Sequence, residues 1–476
     1  MSAHGGRLLS TAPTQAVLVL MPVLALSACV SGLPPAPLSP AASAAAFEAR
    51  RLEQLGPELP PPSVGWDRAQ WLKAALQLNP QLAEARARVV TSAAAERTAA
   101  QHTNPTMNLF TEYVGAAAHS AAWLYGLSMD FVLRRPGDRT RAIDYAAVET
   151  ALAKSDLSDS IWSVRAQLRQ SLLEVASSRD EAALLEALIG ARQTLLDSDR
   201  ARADAGDIAR TQTLADELEL ARAQQRLRGA QARGIEAQSR FAAAVGVPAA
   251  ALTGIPLRWD DWADIASLAP AVSQDWRAAA LIGRPQIVRA LGEYDLAEIQ
   301  LQSEIAKRWP EVHLTPGYAW GGSGVREDPL NDFSQESALG VNFELPLFNQ
   351  HQGQIVEALA RRDAAGVHLT AVQAELFEQI DRAAQAWPRA RSAWGDAQGV
   401  LQIAQRQQQA EQRALAAGAG ERAGVAAAQV AAIEAQLLLL AAAYEAESAF
   451  GALEDAYRRP LQGAEGELPL TGEPQA

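Results

Sequence analysis

The chain has one cysteine, Cys29, and its surroundings point to one chemistry. It follows His4 and Arg7, an apolar run from Ala16 to Leu26, and Leu26-Ser27-Ala28. Such a run is too short to span a bilayer but suits the h-region of a signal peptide. Small residues directly before a cysteine here resemble a bacterial lipobox. Residues 1–28 are therefore expected to be a removable signal peptide, with Cys29 lipidated as the new first residue. Buried acyl chains, at about 0.8 kcal/mol per CH₂, would anchor it. Val30 stands where Asp would direct retention at the inner membrane, so the pattern resembles outer-membrane sorting. A plain secretory signal with an incidental cysteine is the other reading. One cysteine excludes a disulfide framework and a cysteine-based zinc site.

The other candidate side chains do not converge. The six histidines (His4, His102, His119, His313, His351, His368) show neither i,i+4 nor HExxH spacing. Beyond the signal, methionine is confined to Met107 and Met129. A metal relay needs clustered soft ligands, so no metal site, catalytic residue or cofactor is expected. Carboxylates gather at two glycine-marked breaks: Asp204 and Asp207 flank Gly206, and Glu421 follows Gly418-Ala419-Gly420. They are either ordinary caps on a solvated tip or, repeated by symmetry, a ring that favours cations. Arg134, Arg135, Arg139 and Arg141 form a basic group at a strand-to-helix boundary, solvated or touching headgroups.

Charge and composition bound what must position these residues. With Lys+Arg 42 against Asp+Glu 55, the net charge over 476 residues is −13. Removing the signal loses Arg7 and leaves 41 − 55 = −14. No nucleic-acid partner is expected, since that needs a basic face. Hydrophobic residues make up 49%, and the leaning on Ala suggests long helices with thin seams.

The chain repeats itself. Ala74-Ala75-Leu76, Pro80-Gln81-Leu82 and Ala85 recur as Ala279-Ala280-Leu281, Pro285-Gln286-Ile287 and Ala290, an offset of 205 that also carries Pro105 to Pro310 and Tyr113 to Tyr318. Gly126 to Gly340, Gly206 to Gly418 and Phe241 to Phe450 follow at slightly larger offsets. Residues 66–260 and 273–460 thus share one plan: helix, strand pair, very long helix, helix. A lipidated, Pro-rich linker (29–65, with a short helical piece near Phe47 to Leu55) precedes them. A loose tail (461–476) follows.

Leu157, Ile161, Val164, Leu168, Leu172 and Val175 make a helical stripe, and so do Leu369, Val372, Leu376, Ile380, Ala383 and Trp387. A helix from Arg139 to Ala205 would be on the order of 100 Å long at 1.5 Å per residue. Pro388 should interrupt and kink the second long helix. Gly206 and Gly418 suit tight helix-to-helix turns.

The expected strands are Thr106–Val114, Trp123–Val132, Val312–Trp320 and Ala338–Leu345. The second and fourth alternate bulky with small or polar residues, the weak signature of a transmembrane β-strand. Their connections, Gly115–Ala122 and Gly321–Ser337, would face outside. Four strands cannot close a barrel, and lipid tolerates no open edge. Single-chain barrels start at eight strands, so several copies must pool theirs. Three copies, giving twelve strands, is the most economical solution.

With these residues the chain resembles the TolC-like outer membrane efflux proteins. Asn79-Pro80-Gln81-Leu82, Asn104-Pro105-Thr106, Leu345-Pro346-Leu347-Phe348-Asn349-Gln350, the two glycine turns and Ala452-Leu453-Glu454-Asp455-Ala456 carry the resemblance over residues 66–458, closest in wording to the heavy-metal resistance branch. It implies a mainly α protomer with a small β part: a duplicated long-helix α-barrel unit lending four strands to a shared transmembrane β-barrel. It also implies a homotrimer in outer-membrane lipid, serving as the exit duct for a periplasmic adaptor (membrane fusion) protein and an inner-membrane pump, with metal cations or drugs as cargo. Some family members carry a gating Asp six residues after the tip Gly. Gln212 and Gly424 stand there instead. The rival expectation is a periplasmic helical lipoprotein scaffold or adaptor without a pore.

Overall fold

The computed structural model describes residues 36–55, 59–114, 122–268, 274–321, 335–461 and 464–467. The chain divides into Met1–Arg50 and a larger compact unit, Arg51–Ala476. In the first, helix α1 (Pro40–Glu48) starts where Ser39 accepts a hydrogen bond from the Ala42 N–H and Pro40 opens the first turn. The helix therefore overlaps the Phe47 to Leu55 segment expected from sequence only at Phe47 and Glu48. That cap pair decides its start, and Leu52–Leu55 is a 3-10 turn.

The larger unit repeats one order of elements. The first half has α2 (Arg68–Leu78), α3 (Pro80–Ala99), β1 (Thr106–Val114), β2 (Ala122–Leu133), α4 (Asp138–Asp204) and α5 (Arg210–Val245). The second has α6 (Gln274–Gly283), α7 (Pro285–Ala306), β3 (Val312–Gly321), β4 (Gln335–Phe343), α8 (Gln352–Ala416) and α9 (Arg422–Tyr457). Asn79 starts α3: its Oδ1 accepts from the Gln81 and Leu82 N–H groups, and its Nδ2 donates to the Ala244 carbonyl at 2.7 Å. The α2/α3 corner is thereby tied to the end of α5.

Helix α4 has 67 residues and α8 has 65, each on the order of 100 Å at 1.5 Å per residue. Helices this long need neighbours throughout, because isolated helical turns are marginal in water. Helix α4 packs on α3, α5, α7 and α9, and α8 packs on α7 and α9. The predicted α4 stripe from Leu157 to Val175 is buried at every position, and on α8 Leu376, Ile380, Ala383 and Trp387 are buried. Ala223, Ala230, Ala237 and Ala244 on α5 recur every seven residues and are all buried. This is a close seam of the kind the alanine content implies.

The interruption expected at Pro388 is absent, and α8 runs through it. A helical proline costs about 3 kcal/mol. Here the adjacent Trp387 is buried edge-on against Phe450, ring centroids 5.2 Å apart, and Arg389 Nε donates to the Gln385 carbonyl. Packing on α9 carries the helix on through the defect.

The strands form one antiparallel sheet in the order β1-β2-β3-β4. The two hairpins join through β2 and β3, and β1 and β4 are its outer strands. Strand β4 ends at Phe343, so Leu345 lies outside it. Residues 115–121 and 322–334, most of the two expected outer connections, lie outside the described residues.

Candidate functional site

The sheet sorts its side chains by chemistry. Directly opposed residues in an antiparallel pair point to the same side. The register Asn108↔Ser128, Phe131↔Leu314 and Leu314↔Val341 therefore defines two faces. One carries Met107, Leu109, Tyr125, Leu127, Met129, Phe131, Leu314, Tyr318, Leu339, Val341 and Phe343, and most of these are substantially exposed. Tyr125 on β2 stacks on Trp320 of β3, ring centroids 6.1 Å apart, and Tyr318 lies tilted beside Trp320 on the same strand at 6.0 Å. The other face carries Thr106, Asn108, Glu112, Ser128, Asp130, His313, Thr315 and Asn342. Phe110, Leu124 and Val132 depart from the pattern on this face; the Phe110 ring lies over Gly126, where a Cβ would come within 2.1 Å of it. An exposed apolar face on a sheet with two unpaired edges is unstable in water.

At the far ends of the long helices are the two glycine turns. Gly206 (φ +86°) and Gly418 (φ +74°) occupy the left-handed region. The Asp207 N–H donates to the Arg202 carbonyl and the Gly206 N–H to Ala203. In the second turn the Ala419 N–H donates to Ala414 and the Gly418 N–H to Leu415. Both turns are Schellman caps. Gly420 serves differently: a Cβ there would lie 2.6 Å from the Leu415 nitrogen. Only glycine lets the chain turn this tightly under the end of α8.

The structure brings the two turns together. Arg202, in the last turn of α4, reaches Glu421, at the start of α9, at 3.9 Å. Asp204 and Asp207 are exposed. These exposed carboxylates fit a solvated tip, but none of them caps α5 or α9. The N-cap of α5 is Ala209, and Glu421 sits at the N-cap of α9 without a side-chain hydrogen bond. About two turns farther in, Asp199 is 6% exposed and pairs with Arg202 at 3.3 Å. Burial, together with the facing Asp199, pushes the Asp216 carboxyl up. Cys29 lies outside the described residues.

Sequence reasoning missed the charged centre that locks the halves together. Arg165 and Arg169 interrupt the apolar stripe of α4, one helical turn apart, which was the available signal. Arg165 is 1% exposed; its Nη2 donates to Glu454 at 2.7 Å and its Nε to Glu465 at 2.8 Å. Arg169 donates to Glu454 at 3.2 Å and to Asp455 at 3.0 Å. Burial disfavours the Glu454 anion, but Arg165, Arg169 and the Leu461 N–H outweigh it and hold the carboxyl below its usual range. Glu465 belongs to the segment expected to be loose; the 3-10 turn Ala464–Glu467 is pinned there by Arg165 and Arg68.

Residues 276–457 match the family model described as outer membrane efflux protein. No curated protein matches the chain in sequence. Among solved structures, the outer-membrane channel OprN is 16% identical, with a TM-score of 0.67 over 82% of this chain and 89% of its own. VceC, an outer membrane protein of Vibrio cholerae, is 17% identical, TM-score 0.63, over 82% and 95%. The CmeC outer membrane channel of Campylobacter jejuni is 13% identical, TM-score 0.65, over 90% and 93%. At these identities the likeness establishes the fold, which is that of the TolC-like channels.

Proposed function

We propose that this chain, a TolC-like fold whose residues 276–457 form an outer membrane efflux protein domain, is the outer-membrane exit duct of a tripartite efflux system. The observation that carries the reading is the four-stranded sheet, apolar on one face, polar on the other and open at both edges, attached to helices of 67 and 65 residues. Lipid has no water to satisfy an open edge, so the sheet must close on copies of itself. Three copies give the barrel, with the apolar face in lipid and the polar face toward the lumen. The helices continue it as a periplasmic tube whose glycine-turn end meets an adaptor and, through it, an inner-membrane pump. Metal cations or drugs are the cargo, and Cys29 adds a lipid anchor.

Closure predicts that β4 of one copy pairs with β1 of the next. The test places Leu109→Cys on β1 and Leu339→Cys on β4. Inter-chain disulfides in native membranes, giving a covalent ring of three, are expected, together with single-channel conductance in planar bilayers. Cross-links absent while the folded chain stays in the aqueous fraction would favour the non-channel scaffold.

A further inference from the structure

The strand-to-helix junction brings together side chains that the sequence scatters over more than 200 positions. His313, the second residue of β3, lies on the polar face of the sheet, opposite Val132 on one side and Asn342 on the other. Both carboxylate oxygens of Asp130, on β2, lie 3.1 Å from its Nδ1. A carboxylate so placed accepts a hydrogen bond from Nδ1–H, which assigns the tautomer and leaves the Nε2 lone pair free. Nε2 faces Glu311 Oε1 at 3.7 Å. That is too long for a hydrogen bond. It is close to the separation of about 3.4 Å between two ligand atoms that each sit about 2.1 Å from one tetrahedral ion. Arg135 holds the other oxygen of Glu311 at 3.3 Å and donates to the Trp309 carbonyl at 2.6 Å, so Oε1 is presented to the imidazole. His313, Glu311 and Arg135 open on a cavity of about 460 Å³ that Lys307, Asn342, Glu344, Asn349 and His351 also line.

We propose that His313 Nε2 and Glu311 bind a borderline divalent cation of the Zn²⁺ or Cu²⁺ class, with Asp130 as the positioning residue that orients the ring. The inference rests on the channel reading and deepens it, because it puts a transit site for metal cargo on the lumenal wall. An imidazole with a carboxylate suits these ions better than Mg²⁺ or Ca²⁺. Among the described residues no three His, Cys, Asp or Glu side chains gather as a metal cage. The site therefore has two protein donors, and water completes the coordination. Such a site holds an ion weakly enough to release it, as conduction requires.

The test titrates Zn²⁺, in excess Mg²⁺, into the full detergent-solubilised chain by calorimetry. Parallel measurements record bilayer conductance without zinc. One Zn²⁺ per chain at this site is expected, lost by more than tenfold in affinity in His313→Gln. Asp130→Asn should weaken it about 10–100-fold, with recovery in Asp130→Glu. Should His313→Gln fail to fold, Glu311→Gln leaves the Asp130–His313 contact intact and must still lose more than tenfold. Zinc affinity unchanged in the folded His313→Gln or Glu311→Gln protein overturns the site, and His313 then only pins β2 to β3. Conductance without zinc binding by the wild-type chain overturns the site and spares the channel. Zinc binding without conductance does the reverse.

Discussion

Glu447, on α9, is a carboxyl whose ionisation the fold disfavours. It is 4% exposed and meets Arg68 only at 3.9 Å, while Arg68 also pairs with Glu465 at 3.4 Å and lies over the Trp259 ring. Burial pushes its carboxyl from 4.5 up to about 7; Arg68 and Arg169 pull it back, and Glu454 and Asp261 add to the rise. At about 1.4 kcal/mol per pKa unit, holding this group ionised costs on the order of 3 kcal/mol above its folded-state pKa. The sign follows from proton counting. Between the ordinary carboxylate pKa and about 7 the folded chain keeps a proton that the unfolded chain has released. Stability therefore falls as pH rises through that window and levels off above it. Glu447→Gln keeps the shape and removes the charge. It should stabilise by up to about 3 kcal/mol at about pH 8 and by nothing near pH 4. Thermal unfolding of the detergent-solubilised chain at both pH values measures this. A variant equally shifted at both, or less stable at the higher pH, would refute the reasoning. Pairing with Arg68, rather than burial, would then govern the site.

Arg165→Met leaves Glu454 and Glu465 buried without their common partner and should cost about 3–5 kcal/mol at neutral pH. Since Glu454 is held ionised, that loss should shrink as pH falls through the carboxylate range, and unfolding followed against pH checks it. Gly246 has φ +93°, and a Cβ there would lie 2.5 Å from the Leu78 carbonyl oxygen. Gly246→Ala should destabilise by at least about 1–3 kcal/mol, seen as a lower unfolding midpoint. The double variant Asp204→Asn, Asp207→Asn should weaken divalent-cation block in bilayer recordings. Unchanged block with folding intact would place the constriction elsewhere. Cys29→Ser should abolish metabolic palmitate labelling; labelling that persists would show that Cys29 is not the acylated residue.

Local pattern alone determined the elements and their duplication. Apolar spacing marked α4 and α8, glycine marked the turns at Gly206 and Gly418, and the 205-residue offset related the halves, because each of these signals lies within a few residues or repeats in register. The second and fourth strands were located to within a few residues by alternation, and the first and third as their partners. Pro388 was misjudged because its cost is local, whereas the compensation comes from Trp387 packing on Phe450 in another helix. Glu465 looked like part of a loose tail because nothing near it in sequence reveals Arg165, 300 residues away. The junction of Asp130, His313 and Glu311 was likewise hidden: β2 and β3 belong to different repeats, and only the pairing of the two hairpins makes them neighbours. Periodicity encodes which face of an element is apolar. Which charged groups share a buried site depends on long-range packing, and no local spacing records it.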